Sequence, residues 1–150
     1  LFRSDEITDV RNMGAIIRTA ECAGADAVIV PQKGSALINA EAMKASAGAL
    51  NLLPVCRETN LKDTVRFLKA SGLQVVACTE KSDNLYSKTD LTLPTAIIFG
   101  SEGTGISQEI LKLSDEQVRI PLQGKIDSLN VSVSAGIILY EAVRQRTAQS

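Results

Sequence analysis

The sequence predicts an α/β fold, a mostly parallel sheet flanked by helices, on three observations. Strand and helix signals alternate along all 150 residues, with no repeat, linker or low-complexity tract. The composition is 45% apolar but only 3% aromatic, with no tryptophan, so the core is built from Ala, Val, Ile and Leu, which suits strands buried between helix layers. Apolar runs such as Ala27–Val30 and Thr95–Phe99 end at proline or glycine and pass into polar loops ahead of helices, as βα units do. A chain of this length suits one domain, residues 1–150.

Taken in order, Leu1 to Ile7 occupies the place of a first strand but is polar in its middle, which reads as an edge strand or a truncated start. Asn12 to Gly24 reads as a helix, with Ala15, Ile16, Ala20 and Ala23 on the buried side and Gly24 as the stop. Ala27 to Val30 is a buried strand ended by Pro31, and Asn39 caps a small-residue helix through about Ala47. Leu52 to Val55 is a short strand, and Asn60 caps a helix that stops at Ser71-Gly72. Leu73 to Cys78 and Thr95 to Phe99 are the next strands. Ser107 caps a short helix, Val118 to Ile120 is the last strand, and Val131 to Gln145 the last helix. On that helix the apolar positions are core or dimer contacts, and Arg144 and Arg146 read as a solvated end favourable to the helix C-terminus.

Several functions are disfavoured at once. There is no histidine, which removes the usual general base and the commonest metal ligand. Cys22, Cys56 and Cys78 are odd in number and far apart, so neither a zinc site nor a disulfide framework is expected; they read as reduced, half-buried thiols of a cytoplasmic protein. The apolar runs are too short to cross a bilayer, and no signal peptide opens the chain. With a net charge of -1, any nucleic-acid contact must be local.

Three loops carry chemical interest. Gly100-Ser101-Glu102-Gly103-Thr104-Gly105 follows a buried strand and precedes a helix. Its spacing matches a phosphate-binding loop, but Ile106 stands where that loop needs lysine, which disfavours an NTPase. It gives only part of a dinucleotide fingerprint, late in the chain, so a dehydrogenase is disfavoured too. A tight strand-to-helix turn explains the glycines equally well. The second segment, Asp9 to Ala20, sets Arg18 among apolar or small neighbours, where it either snorkels or meets a charged ligand. In the third, Ile120 to Arg146, a strand runs through a polar loop to Ser128-Leu129-Asn130 at a helix start, where free backbone groups can hold a polar ligand.

Together, NMGAIIRTAECAGADAVIVP, IIFGSEGTGIS and IPLQGKIDSLNVSVSAGIILYEAVRQR resemble the three ordered motifs of the SpoU (TrmH-type) RNA ribose methyltransferases, in the SPOUT superfamily. The resemblance covers nearly the whole chain. Its third motif looks most like the branch that methylates a guanosine 2′-hydroxyl in large-subunit ribosomal RNA. The resemblance implies a C-terminal deep trefoil knot, S-adenosylmethionine bound within it, no metal, and a homodimer packed through the knotted region. The substrate it implies is RNA, ribosomal rather than transfer RNA. By matching position, the catalytic set is Arg18, Asn12, Glu102, Ser128 and Asn130. The implied cofactor contacts, largely main-chain, fall on Phe99, Gly100, Glu102 and Gly103 in the second motif. In the third motif they fall on Ile120, Pro121, Leu122, Ser128, Leu129 and Asn130. Val10-Arg11 departs from the family's usual Pro-His, and the N-terminal RNA-binding domain of many relatives is absent from these residues.

Methyl transfer to a hydroxyl needs an aligned donor and a route for the proton, with no metal. Ile98, Phe99, Ile120 and Leu129 are expected to wall the adenine. Arg18 stays charged, so its expected role is to anchor RNA and stabilise the developing alkoxide, with water or phosphate accepting the proton. Glu102 either orients that arginine or caps the following helix. Two alternatives stay open: a non-catalytic S-adenosylmethionine- or RNA-binding module of this fold, and a transfer RNA ribose methyltransferase.

Overall fold

The computed structural model describes residues 2–4, 9–33, 39–101 and 103–150. Its elements are β1 (Phe2–Ser4), α1 (Val10–Cys22), β2 (Val28–Pro31), α2 (Ala40–Ala45), β3 (Val55–Glu58) and α3 (Leu61–Ala70). They continue with β4 (Gln74–Cys78), β5 (Thr95–Phe99), α4 (Gln108–Leu113), β6 (Glu116–Val118) and α5 (Val131–Thr147). All six strands pair in parallel, in the order β3-β2-β1-β5-β4-β6.

Alternation of side chains along each strand divides the core in two. Val76 on β4 and Ile97 and Phe99 on β5 face one way, against Met13, Ile16 and Ile17 of α1 and Ala135, Ile138 and Leu139 of α5. Val75, Ala77, Ala96 and Ile98 face the other, against Val65 of α3 and Ile110 and Leu111 of α4. Four helix starts are fixed by residues whose spacing announces them. Asn39, Asn60, Ser107 and Asn130 each accept a hydrogen bond from a backbone amide of the turn they open. Helix α1 starts earlier than expected because Asp9, not Asn12, is its cap, accepting from the Arg11 amide at 2.8 Å. Helix α2 then packs so closely on α1 that a Cβ on Gly14 would stand 2.5 Å from the Cβ of Ala45.

Some expectations are overturned. β1 is not an edge strand: Phe2 pairs with both Val28 and Ile97, so the strand lies inside the sheet. Its position follows from the crossovers on either side, which composition does not encode. The third strand begins at Val55 rather than ending there, because Ala49–Asn51 form a 3₁₀ turn and Leu52 is exposed before Pro54. β6 ends at Val118; Arg119 adds only one isolated bridge, to Leu85. Cys22 and Cys56 are exposed, and only Cys78 is half-buried.

At the end of the last helix Arg144 and Arg146 are both exposed, as expected, but Arg146 is also tethered. Arg146 donates from Nε to the Leu91 carbonyl and from a terminal nitrogen to the Leu93 carbonyl, both at 3.0 Å. It therefore ties α5 to the connection that feeds β5. Arg144 is the solvent-side residue, pairing with Glu141 at 2.8 Å. Among the described residues no helix is long and apolar enough to cross a membrane.

Candidate functional site

Consecutive strands run outward from β1 in one direction through β2 and β3, while β5 and β4 lie on its other side. In open parallel sheets, ligands bind beyond the carboxyl ends of strands where the order reverses. Beside that reversal a cavity of about 660 Å³ opens at the ends of β4 and β5.

Its first wall is the turn after β5. Phe99 is buried at the strand end, and Gly100 is half-buried against the returning loop. The loop folds back on itself: the Gly105 amide donates to the Ser101 carbonyl at 3.1 Å, and the Ser101 and Thr104 hydroxyls meet at 2.8 Å. Gly105 has a φ of +68°, which favours glycine. A Cβ on Gly100 would stand 2.4 Å from the Gly105 carbonyl carbon, so the missing side chain is what lets the loop close. Gly103 and Thr104 complete this wall.

The second wall is the segment from the end of β6 to α5. Ile120, Leu122, Ser128, Leu129 and Asn130 all line the cavity. Pro121 is exposed and does not. Asn130 caps α5 with its Oδ1, and its Nδ2 donates to Oδ1 of Asn12 at 3.1 Å. The first and third motifs are thereby joined across 118 positions of sequence.

The third wall has no counterpart in the sequence expectation. Cys78, Thr79, Glu80 and Lys81, at the end of β4, also line the cavity. The only signal in the sequence was a strand giving way to polar residues, which many loops share. Burial, with Glu80 beside it, pushes the Cys78 thiol up from an ordinary value of 9.0 to about 12, so it stays protonated at neutral pH.

Other expected residues are placed differently. Ile98 faces the opposite core and is 1% exposed, so it walls nothing in the cavity; the parity of β5 puts Phe99, not Ile98, on that side. Arg18 is exposed on α1, has no hydrogen-bond or ion-pair partner among the described residues, and is not part of the cavity lining. Glu102 lies outside the described residues. Among the described residues no group of His, Cys, Asp or Glu is placed to hold a metal ion.

The arrangement suits a mixed polar and apolar ligand of nucleoside size: aliphatic side chains from Ile120, Leu122 and Leu129, with loop backbone and charged residues around them. Comparison with known proteins bears on which ligand. A family model described as the SpoU rRNA Methylase family matches residues 2–140. The chain is 42% identical over 144 residues to the 23S rRNA (guanosine-2′-O-)-methyltransferase RlmB of Photorhabdus laumondii, covering 96% of this chain and 59% of that protein. It is 41% identical over 143 residues to the RlmB of Escherichia coli K12, covering 95% of this chain and 59% of that protein. The chain thus spans about three-fifths of the length of these curated relatives.

Among solved structures, the A. aeolicus TrmH/SpoU tRNA modifying enzyme superposes with a TM-score of 0.91 at 31% identity, covering 99% of this chain and 76% of that one. The SpoU methyltransferase AviRb from Streptomyces viridochromogenes, in complex with the cofactor AdoMet, superposes with a TM-score of 0.89 at 34% identity. That match covers 98% of this chain and 57% of that one.

Proposed function

The chain belongs to the SpoU rRNA methylase family, and on that premise we propose that it is the catalytic domain of an S-adenosylmethionine-dependent RNA ribose 2′-O-methyltransferase acting on ribosomal RNA. The observation that carries this reading is the cavity at the ends of β4 and β5, walled by the second and third motifs. The residues present fit the cofactor: the closed turn from Gly100 to Gly105 borders the cavity with polar groups, and Ile120, Leu122 and Leu129 offer apolar contact to a nucleoside. Phe99, Gly100, Gly103, Ile120, Leu122, Ser128, Leu129 and Asn130 would hold it, with Glu102 and Pro121 as further candidates. When bound, S-adenosylmethionine supplies an electrophilic methyl group.

The chain's own residues then have separable tasks. Ser128 and Asn130 border the cavity and orient the acceptor ribose, and Asn12 keeps the Asn130 carboxamide in place. Arg18, exposed on α1, engages the RNA and stabilises negative charge as the hydroxyl loses its proton to water or phosphate.

The same reading includes a deep trefoil knot at the C-terminal end. It is supported by the sheet order, in which β6 lies outermost beyond β4 while the following segment returns to bring Asn130 against Asn12. It also includes a homodimer packed through this region. An apolar stripe on α5, with Val133 50% and Tyr140 49% exposed, supports a covered face there. Ribosomal RNA is favoured over transfer RNA by the names of the relatives at 41–42% identity. A cytoplasmic location follows from that substrate.

Calorimetric titration with S-adenosylmethionine and S-adenosylhomocysteine tests the reading. One saturable site per chain, followed by mass-mapped 2′-O-methylation of a large-subunit ribosomal RNA fragment, is the expected result. Saturable binding without any RNA methylation favours a non-catalytic module of the same fold.

A further inference from the structure

The Asn130 carboxamide makes three hydrogen bonds among the described residues, and together they leave it a single orientation. Its Oδ1 accepts from the Ser132 amide at 2.9 Å and from the Ser132 hydroxyl at 2.5 Å. A backbone amide only donates, so the atom facing it must be the oxygen. The Nδ2 therefore points away from α5, and it meets Oδ1 of Asn12 at 3.1 Å. An isolated asparagine cap needs only the first of these contacts. The serine hydroxyl adds a second donor on the same oxygen and so tightens the orientation that the backbone amide has already fixed.

We propose that Ser132 is a positioning residue for the reaction: it locks the Asn130 carboxamide so that the start of α1 is held against the start of α5 at the mouth of the cavity. This rests on the methyltransferase reading for its kinetic consequence, not for its structural one. Asn130 and Ser128 border the cavity, whereas Ser132 does not line it. Helix α1 carries Arg18 on its exposed side, so the alignment of that arginine with the cavity depends on how firmly α1 is tied down. Ser132 therefore acts on catalysis through Asn130 and Asn12, without touching cofactor or RNA.

The test uses the full chain and two variants, Ser132→Ala and Ser132→Thr. Threonine keeps the hydroxyl and is tolerated in the first helical turn. Loss of one hydrogen bond in such a network should lower kcat about tenfold in Ser132→Ala. S-adenosylmethionine affinity and KM for RNA should stay within about twofold, and Ser132→Thr should recover most of the rate. The Asn130 side-chain NH₂ pair, followed by ¹⁵N NMR, should exchange with water faster in Ser132→Ala and regain protection in Ser132→Thr.

Unchanged Asn130 side-chain signals in Ser132→Ala overturn the positioning role whatever the activity. Full turnover in Ser132→Ala, or equal impairment in both variants, overturns its kinetic consequence and leaves a packing role. Loss of the Asn130 protection in a chain whose wild type methylates no RNA supports the lock and instead removes the methyltransferase reading.

Discussion

A Cβ on Gly100 would stand 2.4 Å from the carbonyl carbon of Gly105 and 2.6 Å from the amide nitrogen of Ile106. The obstacle is backbone, which cannot swing aside as the end of a side chain can. Gly103, three residues on, would meet nothing within 4 Å. Two glycines of one loop therefore have opposite requirements.

Gly100→Ala should destabilise the fold by about 1–3 kcal/mol through overpacking, lowering Tm by roughly 2–4 °C for each kcal/mol in a chain of this size. Gly103→Ala should leave Tm unchanged. Thermal denaturation of the two variants side by side is the check, and equal Tm losses would contradict the closing role assigned to Gly100.

Asn12 and Asn130 should couple energetically, because each satisfies the other across the two helix starts. Asn130→Ala also removes the α5 cap, so it should cost about 1–2 kcal/mol and exceed Asn12→Ala. A double-mutant cycle by urea denaturation should give a coupling of about 0.5–1.5 kcal/mol. A coupling indistinguishable from zero would mean the contact contributes nothing in solution.

Arg18→Ala should leave stability and S-adenosylmethionine affinity at wild-type levels, since the side chain is exposed and has no partner among the described residues. RNA methylation should fall by at least about a hundredfold, the scale of losing a group that stabilises charge in a transition state. Near-normal methylation by this variant removes Arg18 from the catalytic set.

The three thiols should divide two to one. Cys22 and Cys56 are exposed and should react with a disulfide reagent at pH 8 in the native state, while Cys78 waits for unfolding. The same burial sets a pH dependence. The folded chain keeps the Cys78 proton up to about 12, whereas the unfolded chain releases it near 9.0. The unfolded state thus binds fewer protons in that window, and stability falls as pH rises through it. Below pH 9 the contribution is constant. Cys78→Ala should flatten the alkaline slope relative to wild type in denaturation curves from pH 8 to 11.

Arg146→Ala should lower Tm more than Arg144→Ala. Arg146 holds two carbonyls of the connection ahead of β5, at Leu91 and Leu93, and its loss leaves both without that donor. Arg144, itself exposed, makes a two-point pair with the Glu141 carboxylate, which still accepts from Gln145 when the arginine is removed. Equal Tm values for the two variants would return Arg146 to the role of a solvated helix end.

Much of the site was legible because its motifs are local. Capping residues, glycines at turns and period-two strands are short-range signals, and they mark Asn130, Gly100 and Phe99, which line the cavity, the bounds of β5 and the start of α5, though α5 runs on to Thr147 past the expected Gln145. Two kinds of error had a common cause. Ile98 is adjacent to Phe99 in sequence but not in space, because alternation sends the two to opposite faces of the sheet. Cys78 to Lys81 were missed because the end of β4 enters the cavity only through its pairing with β5, and that register has no sequence signature.

By itself, then, the sequence determined the alternating elements, the aliphatic core of a parallel sheet, and the loop chemistry of two of the cavity's three walls. These depend on residue type and on spacings of a few positions. The tertiary structure decided the rest. It placed the polar first strand inside the sheet, set the end of β4 opposite the glycine loop, and brought Asn12 to Asn130. Each of these depends on how crossovers order the strands, a property of the whole chain in space that no short stretch of sequence carries.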